Sequence, residues 1–142
     1  MAFGPRALRS ALLNLLLSVP DLAEYVNSRI AYAGSRQTDQ EPRITYIVAS
    51  NSGGSDLDGP DGVNTARVRV SVWSRDSVEA ETLVDLIRSY VNGWNGWIGS
   101  VYVRSCDWDG DNDLPEDLPN GDGTTVFQIV SDYLVEYEGG GV

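Results

Sequence analysis

Between residues 63 and 91 the chain reads as a strand, a tight turn and an amphipathic helix in immediate succession, and this unit limits the fold more than any other stretch. Val68, Val70 and Val72 alternate with Arg67, Arg69 and Ser71, the period-two pattern of a strand with one buried face. After Ser74 and Arg75 come Asp76 and Ser77, and then Val78, Leu83, Leu86, Ile87, Tyr90 and Val91 recur at three- and four-residue spacing, which gathers them on one helical stripe. Ser74 or Asp76 is the candidate N-cap, with Glu79 and Glu81 favourably placed in the first turns. A strand followed directly by a helix with a matching apolar face folds the helix back onto the sheet, which makes half of a two-layer domain.

The remaining segments supply material to pack around that unit. Pro5 suits a first helical turn, Leu8, Leu12, Leu15, Leu16 and Val19 line one side, and Pro20 stops the helix near Ser18. Leu13 and Leu17 widen the apolar arc, so the helix is expected to be covered on two sides, by its own sheet and by another body such as a neighbouring subunit. Residues 22–27 fit one more helical turn, residues 29–33 a short strand, 35–41 a polar linker, and 42–49 a better strand rich in β-branched and aromatic residues. Residues 50–62, with four glycines, three aspartates and Pro60, read as a surface loop. Asn92 and Gly93 end the second helix. Residues 97–106 read as one strand, residues 107–123 as a long acidic loop, and 124–137 as a final strand with Phe127, Ile129, Tyr133, Val135 and Tyr137 on one face. The glycine-rich tail 139–142 is expected to be mobile.

Because the three middle strands have no crossover helix between them, antiparallel pairing is expected there. The fold class is α+β: one domain over residues 1–142, an antiparallel or mixed sheet of about five strands, with two helices packed on one face.

Composition excludes much chemistry. With no histidine and a single cysteine, Cys106, the chain can hold neither a Ser-His-Asp nor a Cys-His constellation, nor an intramolecular disulfide, and a cysteine-based zinc site is not expected. A net charge of -11, with ten arginines and no lysine, opposes general affinity for nucleic acid. Such an acidic bias arises either from a GC-rich genome or from adaptation to a salty cytoplasm. The apolar stretch 7–19 resembles the core of a signal peptide, yet it contains Asn14 and runs into Pro20-Asp21-Leu22, not a small-residue cleavage site. It is also too short to span a bilayer. A soluble intracellular protein without membrane contact is expected.

Within the acidic stretch, Asp107, Asp109, Asp111 and Asp113 alternate as the oxygen ligands of a calcium loop do. Starting at Asp107, however, Asn112 and Leu118 occupy the positions that need glycine and a bidentate carboxylate; starting at Asp109, Leu114 and Asn120 do. A solvated loop or a partner-contacting arm fits better, and Leu114, Pro115, Leu118 and Pro119 within the charge run favour docking on another protein. Asp109 and Asp111 could serve acid-base hydrolysis only within a pocket, and the inventory of bases and nucleophiles is nearly empty, so no enzyme, metal or cofactor is expected. Trp73, Trp94, Trp97 and Trp108 as a base-stacking platform would work against the acidic charge. Trp73 shares its strand face with Arg67 and Arg69, and that face meets either solvent or another subunit, where Trp and Arg are enriched.

The order of these segments carries a resemblance. A leucine-rich first helix, Arg29-Ile30-Ala31-Tyr32, Pro42-Arg43-Ile44-Thr45-Tyr46, and Arg67-Val68-Arg69-Val70-Ser71-Val72-Trp73-Ser74 followed by a helix with Glu79-Ala80 and Leu83 resemble the tail-completion or tail-terminator family of long-tailed bacteriophages and related viruses. The resemblance runs from about residue 7 to 138; the acidic stretch and the absence of lysine depart from it. It implies a structural virion protein without catalytic residues or cofactors, at the tail-neck junction and assembled in the host cytoplasm. It further implies a homo-oligomeric, hexameric ring that sits on the tail tube protein, ends tail growth and faces a head-side connector or adaptor, while genomic DNA passes through the lumen without specific binding. In that setting Arg67, Arg69, Trp73, Leu13 and Leu17 are candidates for the ring interface. Asp56, Asp58, Asp109, Asp111, Leu114 and Leu118 are candidates for partner-contacting loops. The alternatives are another neck component, such as a head-closure or adaptor protein, or a small cation-binding module built on residues 107–113.

Overall fold

The computed structural model describes residues 5–27, 29–32, 42–56, 59–117 and 125–138. In chain order the elements are α1 (Pro5–Leu17), α2 (Ala23–Val26), β1 (Ile30–Tyr32), β2 (Arg43–Asp56), β3 (Gly59–Ser74), α3 (Ser77–Val91), β4 (Gly96–Ile98), β5 (Val101–Asp117) and β6 (Thr125–Glu138). The strands form one six-stranded mixed sheet in the order β1-β2-β3-β6-β5-β4. The class is α+β as expected, with one more strand than anticipated, because Gly99, at φ 58°, breaks the apolar run 97–106 into β4 and β5.

Alternation in β3 works as the sequence requires. Ala66, Val68, Val70 and Val72 are buried on one face, together with Ile44 and Tyr46 of β2, Ile129, Tyr133, Val135 and Tyr137 of β6, and Val101, Val103 and Cys106 of β5. Onto that face pack Leu8, Leu12, Leu15 and Leu16 of α1 and Ala80, Leu83, Val84, Ile87 and Val91 of α3. Burying each of these Val, Leu or Ile side chains contributes roughly 1.5–3 kcal/mol, which makes this layer the main source of stability. Asp76 caps α3 by accepting from Val78 N at 3.0 Å, while Ser74 Oγ accepts from Asp76 N at 3.0 Å and donates to Glu79 Oε1 at 2.7 Å. Val78, assigned to the buried stripe by spacing, is instead 66% exposed. It stands two residues before Ala80, about 200° round the helix from the stripe that starts there.

Three further expectations change. Residues 50–56 and 59–62 are not a loop: they extend the β2–β3 ladder through Asn51↔Ala66, Ser52↔Thr65, Gly53↔Asn64 and Asp56↔Gly59. Residues 107–117 likewise belong to β5 and pair with β6 as far as Asp117↔Thr125, while residues 118–123 lie outside the described residues, as does the tail 139–142. In both cases a ladder of backbone hydrogen bonds overrides poor strand propensity, because propensity depends on what the strand packs beside. Finally, β1 pairs with β2 in parallel, at Ile30↔Ile44 and Tyr32↔Tyr46. A strand of three residues is only about 10 Å long, so a short connection suffices and no crossover helix is needed.

Tyr133, in the middle of the core, carries a hydroxyl that finds no hydrogen-bond partner among the described residues. Burial, and after it the carboxylate of Asp111, pushes its pKa up. Urea unfolding should therefore separate three variants: Ile87→Ala loses about 2–5 kcal/mol by opening a core cavity, Val78→Ala stays within about 0.5 kcal/mol, and Tyr133→Phe is neutral or stabilising, since it removes an unpaired buried polar group.

Candidate assembly surfaces

The face of the sheet away from the helices carries the odd-numbered residues of β3, so Arg67, Arg69 and Trp73 do share one face. The register Arg69↔Asp132 brings Asp132 of β6 beside them. Arg69 Nε donates to Asp132 Oδ1 at 3.0 Å, and Arg67 Nη1 donates to Asp132 Oδ2 at 3.1 Å and to Asp109 Oδ2 at 2.9 Å. The hydrogen bonds it donates to Asp109 and then to Asp132 raise the pKa of Arg67, the bond donated to Asp132 raises the pKa of Arg69, and accepting from Arg69 holds the Asp132 carboxyl below its ordinary value. Two cations and two anions make the cluster neutral as a unit, and it offers no positive patch to phosphate. Trp73 is fastened separately: its Nε1 donates to Thr45 Oγ1 at 3.1 Å, and the Arg43 guanidinium lies 4.5 Å from its ring centre.

Asp109 and Asp111 part company although they are two residues apart. A bulge between Trp108 and Asp111, with Gly110 at φ 121°, inserts an extra residue into β5 and turns Asp109 to the open face and Asp111 to the helix side. There Asp111 accepts from Ser131 Oγ (2.7 Å), Trp108 Nε1 (2.8 Å) and Arg88 Nη1 (3.2 Å). Arg88 also donates to Asp85 Oδ1 at 2.6 Å and sits 4.9 Å from the Trp108 ring centre. Among the described residues no group of three His, Cys, Asp or Glu side chains converges to hold a metal ion.

The two hairpins leave the body at opposite ends. The last β3–β6 pairs are Val63↔Glu138 at one end and Ser74↔Phe127 at the other, so residues 59–62 of the β2–β3 hairpin overhang one end and residues 125–126, with their β5 partners, overhang the other. Asp56 closes β2 at the first overhang, Leu114 pairs with Gln128 near the second, and Asp58 and Leu118 lie outside the described residues. On α1, Leu13 is half-buried and Leu17 is 48% exposed, so the described residues cover that helix on one side. Trp97, 66% exposed and packed against Tyr102 at 5.1 Å between ring centres, is a further apolar surface group.

Sequence reasoning missed Asp132, Arg43 and Arg88, since each acts through a cross-strand or helix-sheet neighbour that spacing does not reveal. Asp132 also sets a pH test. Its carboxyl pKa is lowered in the folded chain, so its contribution is present above the unfolded value of about 3.9 and is lost as pH falls through the lower folded value. Asp132→Asn should therefore lower Tm at pH 7, with the difference closing below about pH 4 and shrinking in high salt.

Comparison with known proteins agrees with this architecture. No curated protein matches the chain. A chain solved in the virion of a native gene transfer agent (GTA) particle superposes with a TM-score of 0.75 at 13% identity, covering 97% of this chain and 100% of that one, which speaks for a shared fold. The family model of tail completion protein gp17 matches residues 10–132, most of the described body including β3, α3 and the Arg67–Asp132 cluster. The chain therefore belongs to the tail completion protein gp17 family and is a structural protein of the virion tail.

Proposed function

We propose that this protein caps the tail tube as a hexameric ring, ends tail growth and joins the tail to the head-side connector. The observation that carries this reading is the pair of hairpins projecting from opposite ends of one rigid body. A cap must touch two different partners along one axis, and this sheet offers a separate arm for each. The Arg67–Asp132–Asp109 cluster and Trp73 lie on the sheet face away from the helices, where contacts between copies can form, with Leu13 and Leu17 of α1 as a second contact region. A net charge of -11 suits a ring through which DNA slides without sticking. That a chain of the same fold stands in the virion of a gene transfer agent adds support.

Particles assembled without this protein are the direct test. Electron microscopy should show tails of uncontrolled length or tails not joined to heads, and normal particles would overturn the proposal. Tails of correct length that merely lack heads would instead favour a head-closure or adaptor role. Replacing residues 57–58 in one variant and residues 118–124 in another, which leaves the strand stretches of both arms in place, should separate the contacts, each variant losing one axial partner while size-exclusion chromatography with light scattering still reports a ring.

A further inference from the structure

The two outermost long strands are each covered along only part of their length. On one side β1 pairs with residues 44–46 of β2, and the Tyr32 hydroxyl accepts from Val48 N at 3.3 Å. Beyond that, no described strand pairs with the outer edge of residues 49–56. On the other side β4 pairs with residues 101–103 of β5, and the C-terminal turn of α3 covers the next stretch: Gly93 N donates to Cys106 O at 2.7 Å and Trp108 N donates to Asn92 Oδ1 at 3.0 Å. No described strand pairs with the outer edge of residues 109–117. Each open stretch is on the order of 25–30 Å long at about 3.3 Å per residue. Such an edge is a row of unpaired donors and acceptors ready for another strand.

Charge selects the strand that fits. Residues 109–117 carry Asp109, Asp111, Asp113, Glu116 and Asp117 and no cation, whereas residues 49–56 carry a single acid, Asp56 at the far end, and are otherwise Ala, Ser, Asn or Gly. Two β5 edges side by side would oppose carboxylate to carboxylate, which destabilises a sheet; β5 beside β2 would not. Polarity agrees. β2, β3, β6 and β5 alternate in direction, so β2 and β5 run antiparallel, and rotation about an axis inclined to the strands brings β5 of one copy beside β2 of the next in antiparallel sense. The open stretches lie at opposite ends of the sheet, so neighbouring sheets joined there are displaced along the strands, the stagger that a closed ring of tilted strands needs. β4 and β1 then fall at the two ends of the seam, clear of it.

We infer that residues 109–117 of β5 pair with residues 49–56 of β2 in the next copy of this chain, joining the sheets of the ring into one continuous belt. The inference rests on the ring reading above and names where its copies meet, leaving the hairpin tips free for axial contacts.

Ser52 and Asn112 are exposed near the middle of the two open stretches. Ser52→Cys, Asn112→Cys and the double variant should be treated with a bismaleimide shorter than the roughly 14 Å, three strand spacings, that separates β2 from β5 within one chain. The reaction is run both on the isolated chain and on assembled particles. Cys106 stays silent, being buried with its thiol pKa pushed up to about 12 by burial. The double variant should give a ladder of cross-linked multimers and the single variants none. A strong dimer from either single variant would mean that like edges meet, and overturns the pairing. A ring in solution, or incorporation into particles, without a ladder overturns the pairing but leaves the ring; a chain found in neither form overturns the ring reading itself. As a second readout, Ser50→Glu with Ser52→Glu sets acid against acid and should weaken self-association at least about ten-fold, with monomer unfolding unchanged. Undiminished association would equally overturn the pairing.

Discussion

The pairing of β3 with β6, from Val63↔Glu138 to Ser74↔Phe127, is the contact on which the rest of the molecule depends. Without it the chain contains two hairpins distant in sequence, and an isolated hairpin is at best marginal in water. With it, the inward valines of β3 and the inward Tyr133, Val135 and Tyr137 of β6 become one apolar surface, wide enough for α1 and α3 to cover together. The same register sets Arg67 and Arg69 beside Asp132 on the opposite face, so one ladder builds the core and pairs two outward arginines with a carboxylate.

That division gives the body and the edges different roles. On the body, four arginines are held within the chain: Arg69 on Asp132, Arg67 on Asp132 and Asp109, Arg88 on Asp85 and Asp111, Arg43 on the Trp73 ring. Among the described residues, what no strand covers is backbone, along the outer halves of β2 and β5. For a member of a tail completion family, an architecture that ties its arginines to neighbours within the chain and leaves strand edges unpaired among the described residues suits contact with other proteins.

Much of the body was legible in the chain. Val68, Val70 and Val72 marked a buried strand face, Leu8, Leu12, Leu15 and Leu16 a buried helix stripe, and Asp76 a cap, because each signal depends on neighbours a few residues away. The arms were not legible. Residues 50–62 have the glycine, serine and aspartate content of a loop, and residues 107–117 have the charge of a solvated one, yet residues 50–56, 59–62 and 107–117 belong to strands held by cross-strand backbone bonds that no side chain announces. Of the candidate surface residues, the shared face of Arg67, Arg69 and Trp73 followed from alternation alone; that Asp109 belongs with them and Asp111 does not follows from the bulge at Gly110.

The sequence by itself therefore determined the buried faces of β3 and α1, the α+β class, and the exclusion of histidine- and cysteine-pair chemistry, since periodicity and composition are local properties of the chain. Tertiary structure decided the parallel seat of β1, the extension of both hairpins into arms, the pairing of two arginines with Asp132, and which strand edges stay open. Each of these is set by register between segments far apart in sequence, where a shift of one residue moves every side chain to the other face and only the packed sheet selects among the alternatives.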